Sequence, residues 1–543
     1  MGYAHVYAHA IMHRGRVPME PVDFVPDWAD RPRKAKFHPY AETLPLPAEM
    51  PAEMPDAVAQ RPAAGFTLPL LSGLLRDSYG LTGRRLAVQA NTDLAALPHY
   101  THANWSRGTA SGGGLYPVGI HWAAGPGGPL TPGLYHYAPH QHGLRRLLTG
   151  DVTGQVREAL GAGAGAAAQA TQYLVLSVKY WQNAFKYNSF SFHAVSMDVG
   201  ALVQTWRLWA AQYGLRIDPV LWFDEERLAR LLGVVPEEEG VFAVVPLTWE
   251  DGTAPGDSTA VPGESTAVPG ESLPVPGTAG AADAAVRHRD VERSRQVIVF
   301  ETLLRIHDAT AGRAADRPAQ GLLDRAAALP PRGADPLPLP PPLAPPADTG
   351  RALRERRSSF GRFDASRPVA SDPFAAVLAD CAATRYGTEA ERPDGPPLTS
   401  LYAFVNHVEG IAPGAYAYDP AAHTLRLVKP GPPGPFLQRN YFLSNYNLEQ
   451  AGAVLVPTVR TTAVLDTVGD RGYRLVGGTI GAVAQTFYTT AAALGLGAGV
   501  ALGFDNIAYI EELGLTGTDE APLLIMLLGH ERPRPADFRH EIA

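Results

Sequence analysis

The stretch DVGALVQTWRLWAAQYGLRIDPVLWFDEERLARLLGV, residues 198–234, is written a second time as TIGAVAQTFYTTAAALGLGAGVALGFDNIAYIEELGL, residues 479–515. Gly200 and Gly481, Gln204 and Gln485, Gly214 and Gly495, Asp224 and Asp505, and Gly233 and Gly514 all pair at one offset, 281 residues. Upstream, PGLYHYAPHQHGLRRLLTGD (132–151) and PGAYAYDPAAHTLRLVKPG (413–431) keep that offset at Gly133/Gly414, Tyr135/Tyr416 and Tyr137/Tyr418. Chance pairing of small residues would not also carry Gln, Tyr, Phe and Asp through a constant offset over about 100 residues. The chain reads as a duplicated domain, and two copies of one domain in one chain can fold as a pseudo-symmetric dimer.

Working outward, each copy has the same plan. A short helical opening precedes a strand, YPVGIHWAA or LYAFVNHV, then a G-x-Y-x-Y hairpin strand. A strand (YLVLSVKYW; AVLVPTVRTT) leads into a long helix with apolar residues at helical spacing: Val199, Leu202, Val203 and Trp206, or Ile480, Val483, Ala484 and Phe487. Gly214 and Gly495 are expected to cap it, and a core strand, VFAVVPL or PLLIMLLG, closes each copy. Strands mixed with long helices, without βαβ alternation, predict an α+β class.

Between the copies the composition changes. Residues 251–285 are Gly, Pro, Ser, Thr and Ala with a few acids, and STAVPGE occurs twice in succession, at 258–264 and 265–271. Such a stretch predicts a flexible linker. VERSRQVIVFETLLRIHDAT then predicts a helix with Val291, Ile298, Leu303 and Ile306 on its apolar positions, and PPRGADPLPLPPPLAPP (330–346) an extended or polyproline segment. The expected division is an N-terminal extension over 1–64, copy one over 65–250, the linker over 251–285, a helix and proline-rich bridge over 286–349, and copy two over 350–543.

The 543 residues are 45% apolar, enough for sizeable cores, which excludes global disorder. A net charge of −8 argues against a nucleic-acid or anionic-membrane binder. One cysteine, Cys381, excludes a disulfide framework or Fe–S cluster and fits a cytoplasmic protein. No run approaches a transmembrane span, and the N-terminus lacks the pattern of a secretory signal. His5, His9 and His13 would share a helix face, but no acidic partner or HExxH pattern points to a metal. A polar helix face is the expectation, and no metal ligand is assigned.

Four segments carry the chemistry. RGTASGGGLYPVGIHW (107–122) places three glycines after Ser111, where a backbone without Cβ atoms can approach a flat ligand; copy two has PPLTSLYAFVNHV instead. RRSSFGRF (356–363) sets Arg356, Arg357 and Arg362 beside Ser358 and Ser359, and forked guanidinium donors with hydroxyls suit a terminal phosphate. GLGAG (495–499) keeps room where copy one has GLRID. Lys186 precedes Tyr187, a pair that can supply a tuned base, although a surface lysine beside a packed tyrosine is the commoner outcome. There is no Walker A motif and no G-x-G-x-x-G after a strand.

Together R-x-x-x-SGGGLYP, the G-x-YHY hairpin, the Lys–Tyr pair and RRSSxxRF resemble the flavin-dependent nitroreductase superfamily. The closest resemblance is to its SagB-type branch, which oxidises azolines to azoles in ribosomally made peptides. It covers roughly 65–250 and 350–535. The resemblance implies α+β domains with FMN at an interface between two of them. It also implies an azoline-containing precursor peptide as substrate and a cyclodehydratase as partner. By that resemblance Arg357 and Ser359 clamp the FMN phosphate, with Arg356, Ser358 and Arg362 nearby. Ser111, Gly112 and Gly113 line the ring system, Gly495, Leu496 and Gly497 approach it from copy two, Arg532 reaches the phosphate, and Lys186 and Tyr187 match the catalytic pair. Two departures stand out: Gly361 where a basic residue is usual, and Ala110 where a proline is usual.

An interface site needs parts from opposite copies. Copy one keeps SGGGLYP and Lys186–Tyr187; copy two keeps RRSS and GLGAG. These complement each other into one site per chain. The mirror site would need TSLYAF, Thr467–Val468 and GLRID, and retains only Arg76 and Ser78 of the clamp. The rival expectations are a nitroreductase-like enzyme acting on a small molecule and a flavin-free scaffold that binds a peptide. For the latter, Trp181, Trp206, Trp209 and Trp222 can line a groove or fill the core.

Overall fold

The protein is described by a computed structural model covering residues 2–48, 63–89, 99–100, 104–250, 284–344, 348–359, 362–532 and 537–541. Most of the expected linker, 251–283, and Phe360 and Gly361 of the arginine–serine motif lie outside the described residues.

Each copy builds an antiparallel sheet on one plan. In copy one the order is Thr43–Pro45, Gly143–Thr149, Gly133–Ala138, Val118–Ala124, Gln172–Lys179, Glu239–Leu247. In copy two it is Ala334–Pro338, Thr424–Pro430, Gly414–Asp419, Thr399–Val405, Ala453–Arg460, Ile525–Gly529, Gly497–Ala501, with Glu520–Pro522 also beside Ala453–Arg460. The duplication holds at the level of single bonds. Trp122 pairs with Tyr135 as Ala403 pairs with Tyr416, and each hairpin carries a register shift one residue before its tyrosine pairing, at Leu134/Tyr135 and Ala415/Tyr416. The Tyr137 hydroxyl meets His142 Nδ1 at 3.0 Å and the Tyr418 hydroxyl meets His423 Nδ1 at 2.7 Å. Both histidines take the left-handed conformation, with φ of 44° and 50°.

The long helices Ser191–Ala211 and Gly472–Ala493 are nearly all buried and cross each other at the centre of the molecule. Small residues set the closeness of that crossing. A Cβ on Gly477 would lie 2.4 Å from the Ser196 Cβ, and these positions are themselves 281 apart, so the pseudo-two-fold axis passes here. Gly214 and Gly495 end the helices in the left-handed region (φ 69° and 70°). The following N–H groups close the last turns, Leu215 to Ala210 O at 3.0 Å and Leu496 to Ala491 O at 2.8 Å. This is an α+β fold of two tandem domains built on one plan and packed on each other.

Two expectations change, and the extended bridge takes the form of a strand. The helix expected from Val291 onward covers only Glu301–Thr310. Upstream, Val291 N–H bonds Phe37 O, and Arg295 and Gln296 N–H groups bond the Asp30 carboxylate, so pairing with the N-terminal extension overrides the local periodicity. The proline-rich bridge contributes a strand, Ala334–Pro338, at the edge of the copy-two sheet, where missing N–H groups cost least. The strand before each long helix does not enter it directly. A short helix intervenes, Trp181–Tyr187 in copy one and Thr461–Val468 in copy two.

The extension is integral to the fold. Its helix Tyr3–His13 buries Ala4, Tyr7 and Ile11 against both copies, and Thr43–Pro45 adds a strand to the copy-one sheet. His5 Nε2 meets Asp466 at 2.9 Å and His13 stacks on His9. Trp181, Trp206, Trp209 and Trp222 are buried in the core and line no groove. Among the described residues no helix is long and apolar enough to cross a membrane.

Candidate active site at the interface of the two copies

The copy-one half of the site is a turn held by one carboxylate. Asp198, on the long helix, accepts the Ser111 hydroxyl at 2.7 Å and the Gly112 N–H at 2.8 Å. The Ser111 oxygen in turn accepts the Tyr116 N–H at 2.9 Å, closing the turn that contains the three glycines. Burial pushes the Asp198 pKa up to about 7, against the two donors that favour the carboxylate. Gly113 and Gly114 take φ of 63° and 64°, which glycine adopts without the Cβ penalty, and Tyr116 holds φ 52° at the end of the turn.

The glycines make room for the Lys–Tyr pair. A Cβ on Gly113 would lie 2.6 Å from the Tyr187 hydroxyl and 2.9 Å from Lys186 Nζ. Both side chains therefore lie directly against the bare backbone of the turn. Lys186 Nζ lies 4.8 Å from the centre of the Tyr187 ring, over its face.

Copy two closes the other side. Ala110 N–H donates to Gln485 Oε1 at 2.9 Å, and Gln485 Nε2 donates to Gly108 O at 3.2 Å, so the copy-two helix fixes the base of the copy-one turn. Arg356 donates to the carbonyls of Gly108 (2.7 Å) and Arg107 (3.0 Å) and lies 5.0 Å from the Tyr488 ring centre. Arg356 thus ties the two copies together. The Ser358 hydroxyl meets the Tyr446 hydroxyl at 3.1 Å. Tyr446 is buried, and burial, then Tyr488, raises its pKa; Tyr187 of copy one acts on it in the same direction.

Arg357 opens into a solvent-open cleft that it shares with Gly495, Leu496, Gly497, Tyr488 and Glu531. Its guanidinium pairs with Glu531. Gly497 leaves the space for that acid, since a Cβ there would lie 2.4 Å from Glu531 Cγ. Ser359 is buried, and both its N–H and its hydroxyl bond Ala498 O, at 2.8 and 2.9 Å. The hydroxyl is therefore spent inside the protein. Arg532 N–H donates to Arg362 O at 2.8 Å and its side chain to Gln450 at 2.9 Å, which places both residues beside Glu531.

The mirror position is packed solid. Ser78, the counterpart of Ser359, lies in the helix Leu68–Ser78 and accepts the Trp206 indole N–H at 2.9 Å. Asp77 accepts the Trp209 indole at 3.0 Å, and Arg76 donates to Ala48 O at 2.6 Å. Copy two has Phe487 and Thr490 at the positions of these tryptophans. Arg392, opposite Ser111, pairs with Asp324 of the bridge, which also buries Leu323 and Ala326 here.

Asp198, Tyr116, Tyr446 and Tyr488 did not emerge from the sequence reading. Asp198 left a trace: its partner at offset 281 is Thr479, so an acid appears on a buried helix face only in the copy that carries the glycines. Tyr488 stands opposite Arg207, a similar asymmetry. Tyr446 lies in NYFLSNYN (440–447), which stands opposite ALGAGAGA (159–166), so that Gly165 takes its place in copy one. Among the described residues no cluster of His, Cys, Asp and Glu is arranged to hold a metal ion.

Residues 353–530 match the model of the nitroreductase family. A crystal structure of an Anabaena variabilis protein assigned to the nitroreductases is 23% identical, covers 98% of this chain and 100% of that one, and superposes with a TM-score of 0.70. A Ralstonia eutropha protein of the same assignment is 22% identical over 40% of this chain and 99% of its own, with a TM-score of 0.28. The Escherichia coli microcin synthetase McbBCD complex with truncated pro-MccB17 matches 43% of this chain and 75% of its own at 15% identity and a TM-score of 0.27. No curated protein sequence matches the chain. The chain therefore contains a nitroreductase family domain over residues 353–530, within a nitroreductase-like fold that runs through both copies.

Proposed function

We propose that this chain is an FMN-dependent dehydrogenase that oxidises a thiazoline or oxazoline in a ribosomally made peptide to the azole, at one composite site per chain. The observation that carries this reading is the apposition of Lys186 Nζ and the Tyr187 hydroxyl against Gly113, across from the Ser358–Tyr446 pair of the other copy. A cyclodehydratase, which makes the azoline, is the partner such a reaction requires.

The residues fit a flavin. Gly112 and Gly113 leave a surface without Cβ atoms, Tyr488 and Tyr446 offer aromatic walls, and Arg357 with Gly495, Leu496 and Gly497 lines an open cleft on the copy-two side. Arg357 and Arg532 would hold the phosphate, with Arg357 exchanging its contact with Glu531 for the anion. A bound FMN supplies the two-electron acceptor for the hydride leaving the azoline ring. Tyr187 or Lys186 takes the proton from the neighbouring ring carbon, and the other holds it in place. Asp198 keeps Gly112 and Gly113 fixed while this happens, and Gln485 and Arg356 keep the two copies in register around the site.

The test is an absorbance spectrum of the purified protein, followed by mass analysis of an azoline peptide. A flavin band near 450 nm and a loss of about two mass units per ring support the reading. A flavin band with rapid NAD(P)H-dependent reduction of nitroarenes or quinones, and no change in the peptide, would favour a small-molecule reductase, which the family match over 353–530 also suits. A colourless protein would leave only a peptide-binding scaffold.

A further inference from the structure

A narrow cleft, with room for about one water-sized group such as a carboxylate oxygen, lies between Lys34–Lys36 of the extension and Tyr116–Ile120, the end of the glycine turn and the strand that follows it; Tyr79, His136 and Gln182 complete it. Its lining contains two lysines and no carboxylate. Lys36 is neutralised by Glu239, at 2.5 Å. Lys34 is exposed and makes no ion pair or hydrogen bond among the described residues. Partial burial, then the like charges of Arg107, Arg31 and Lys186, lower its pKa. Burial first, then His121, His38 and Lys36, hold the His136 pKa well below its usual value.

Behind this cleft sits Arg107, 2% exposed. Its guanidinium carbon lies 4.8 Å from the Tyr79 ring centre and 4.2 Å from that of Tyr116, so it is packed between two rings that line the cleft. Among the described residues its Nε and Nη1 have no hydrogen-bond partner, and no carboxylate pairs with it. Two aromatic faces offset only part of the cost of burying that charge. The Tyr79 hydroxyl accepts the Val118 N–H at 3.0 Å, and its own proton has no acceptor among the described bonds. Donors and positive charge converge on a space that holds no anion of the protein's own. Gln182 donates to Leu115 O and Tyr116 O at 3.0 and 2.7 Å, which makes the wall rigid.

We propose that this cleft is a carboxylate subsite, in which Lys34 and the Tyr79 hydroxyl bind an acidic group of the substrate and the buried Arg107 supplies its countercharge. Because Tyr116 ends the same turn that places Gly113 against Lys186 and Tyr187, the acid belongs to a residue flanking the ring being oxidised. The substrate class is then an azoline peptide with Asp or Glu beside the heterocycle. The inference rests on the azoline reading for the identity of the substrate and not for the existence of the subsite.

Two measurements on the full-length protein separate these. Calorimetric titration compares N-acetylglutamate α-amide with N-acetylglutamine α-amide. Binding of the acid about tenfold tighter than the amide, lost in Lys34→Met and retained in Lys34→Arg, supports the subsite. Equal affinity for the two probes, or a preference untouched by Lys34→Met, overturns it. Lys34 is on the surface, so this variant keeps the test decisive if Arg107→Met fails to fold. The second measurement compares kcat/KM for thiazoline peptides with Glu or Gln next to the ring, and the same preference is expected and the same loss in Lys34→Met. If neither peptide is oxidised while the calorimetric preference holds, the azoline reading fails and the subsite stands. If both are oxidised equally and no probe is preferred, the subsite fails and the azoline reading stands.

Discussion

Gly200 lies so close to Gly478 that a Cβ on Gly200 would stand 2.0 Å from the Gly478 carbonyl oxygen, and Gly481 stands in the same relation to Met197. Subtracting the repeat offset from one contact gives the other, which is the signature of an isologous interface, here within one chain. Gly200→Ala or Gly481→Ala would press a methyl onto a backbone carbonyl that cannot move without separating the helices. Each is expected to cost at least about 3 kcal/mol. Gly154→Ala, inside the helix Thr153–Leu160 with nothing within 4 Å of the new Cβ, should instead stabilise by about 0.5–1 kcal/mol. Chemical denaturation of the three variants checks both directions.

Burial raises the Asp198 pKa to about 7. Its pKa in the folded protein is about 7 and that of an unfolded aspartate about 3.9, so the folded state holds the extra proton between them. Its contribution to stability is therefore fully present below about pH 4 and is lost as pH rises through 7. Asp198→Asn should remove this loss, so that the stability difference between variant and wild type shifts toward the variant by a few kcal/mol from pH 4 to 8. A pH-independent difference would show that Asp198 does not titrate in this range.

Lys186→Ala should retain FMN, read as flavin absorbance after gel filtration, and lose at least about 100-fold in turnover. Arg357→Ala should show the reverse, with flavin lost on dilution and turnover largely restored by added FMN. Loss of flavin from Lys186→Ala would make that residue structural.

The packed mirror position predicts about one FMN per chain. Trp209→Thr, which gives copy one the residue of copy two, should cost about 3–5 kcal/mol through the cavity it leaves and still not raise the flavin content. A stoichiometry approaching two in the wild type would refute the single composite site.

The buried Glu225 joins the copies by accepting from Arg471 at 3.0 Å and Arg474 at 2.9 Å. Burial alone would raise its pKa, but Arg474 and Arg471 outweigh it and hold the pKa below the usual value. Its stabilisation is thus present above the unfolded value of about 4.3 and is lost as pH falls below it. Glu225→Gln should destabilise by about 3–5 kcal/mol, because it leaves two buried guanidinium groups short of a counterion, and thermal unfolding at pH 7 measures it.

Much of the site could be read from residue types because the duplication supplies an internal control. Where Ser111–Gly114 stands against Arg392, Pro393, Asp394 and Gly395, or Lys186–Tyr187 against Thr467–Val468, the fold is common to both copies and the difference points to chemistry. What stayed hidden are contacts made across the axis. Arg356 bonds Gly108 and Arg107 of the other copy, and Gln485 bonds Ala110 and Gly108. A residue type fixes which bonds are available, and only the neighbours decide which are made.

By itself the order of residues determined the doubling, the alternation of strands and helices, and the lengths of the core elements, since periodicity and glycine placement are local and repeat at one offset. The folded chain alone decided which half of each copy faces the other. It set Gly113 against Lys186 and Tyr187, filled the mirror cavity with Trp206 and Trp209, and packed the extension against both copies, because close packing and the pairing of buried polar groups are satisfied between segments hundreds of residues apart.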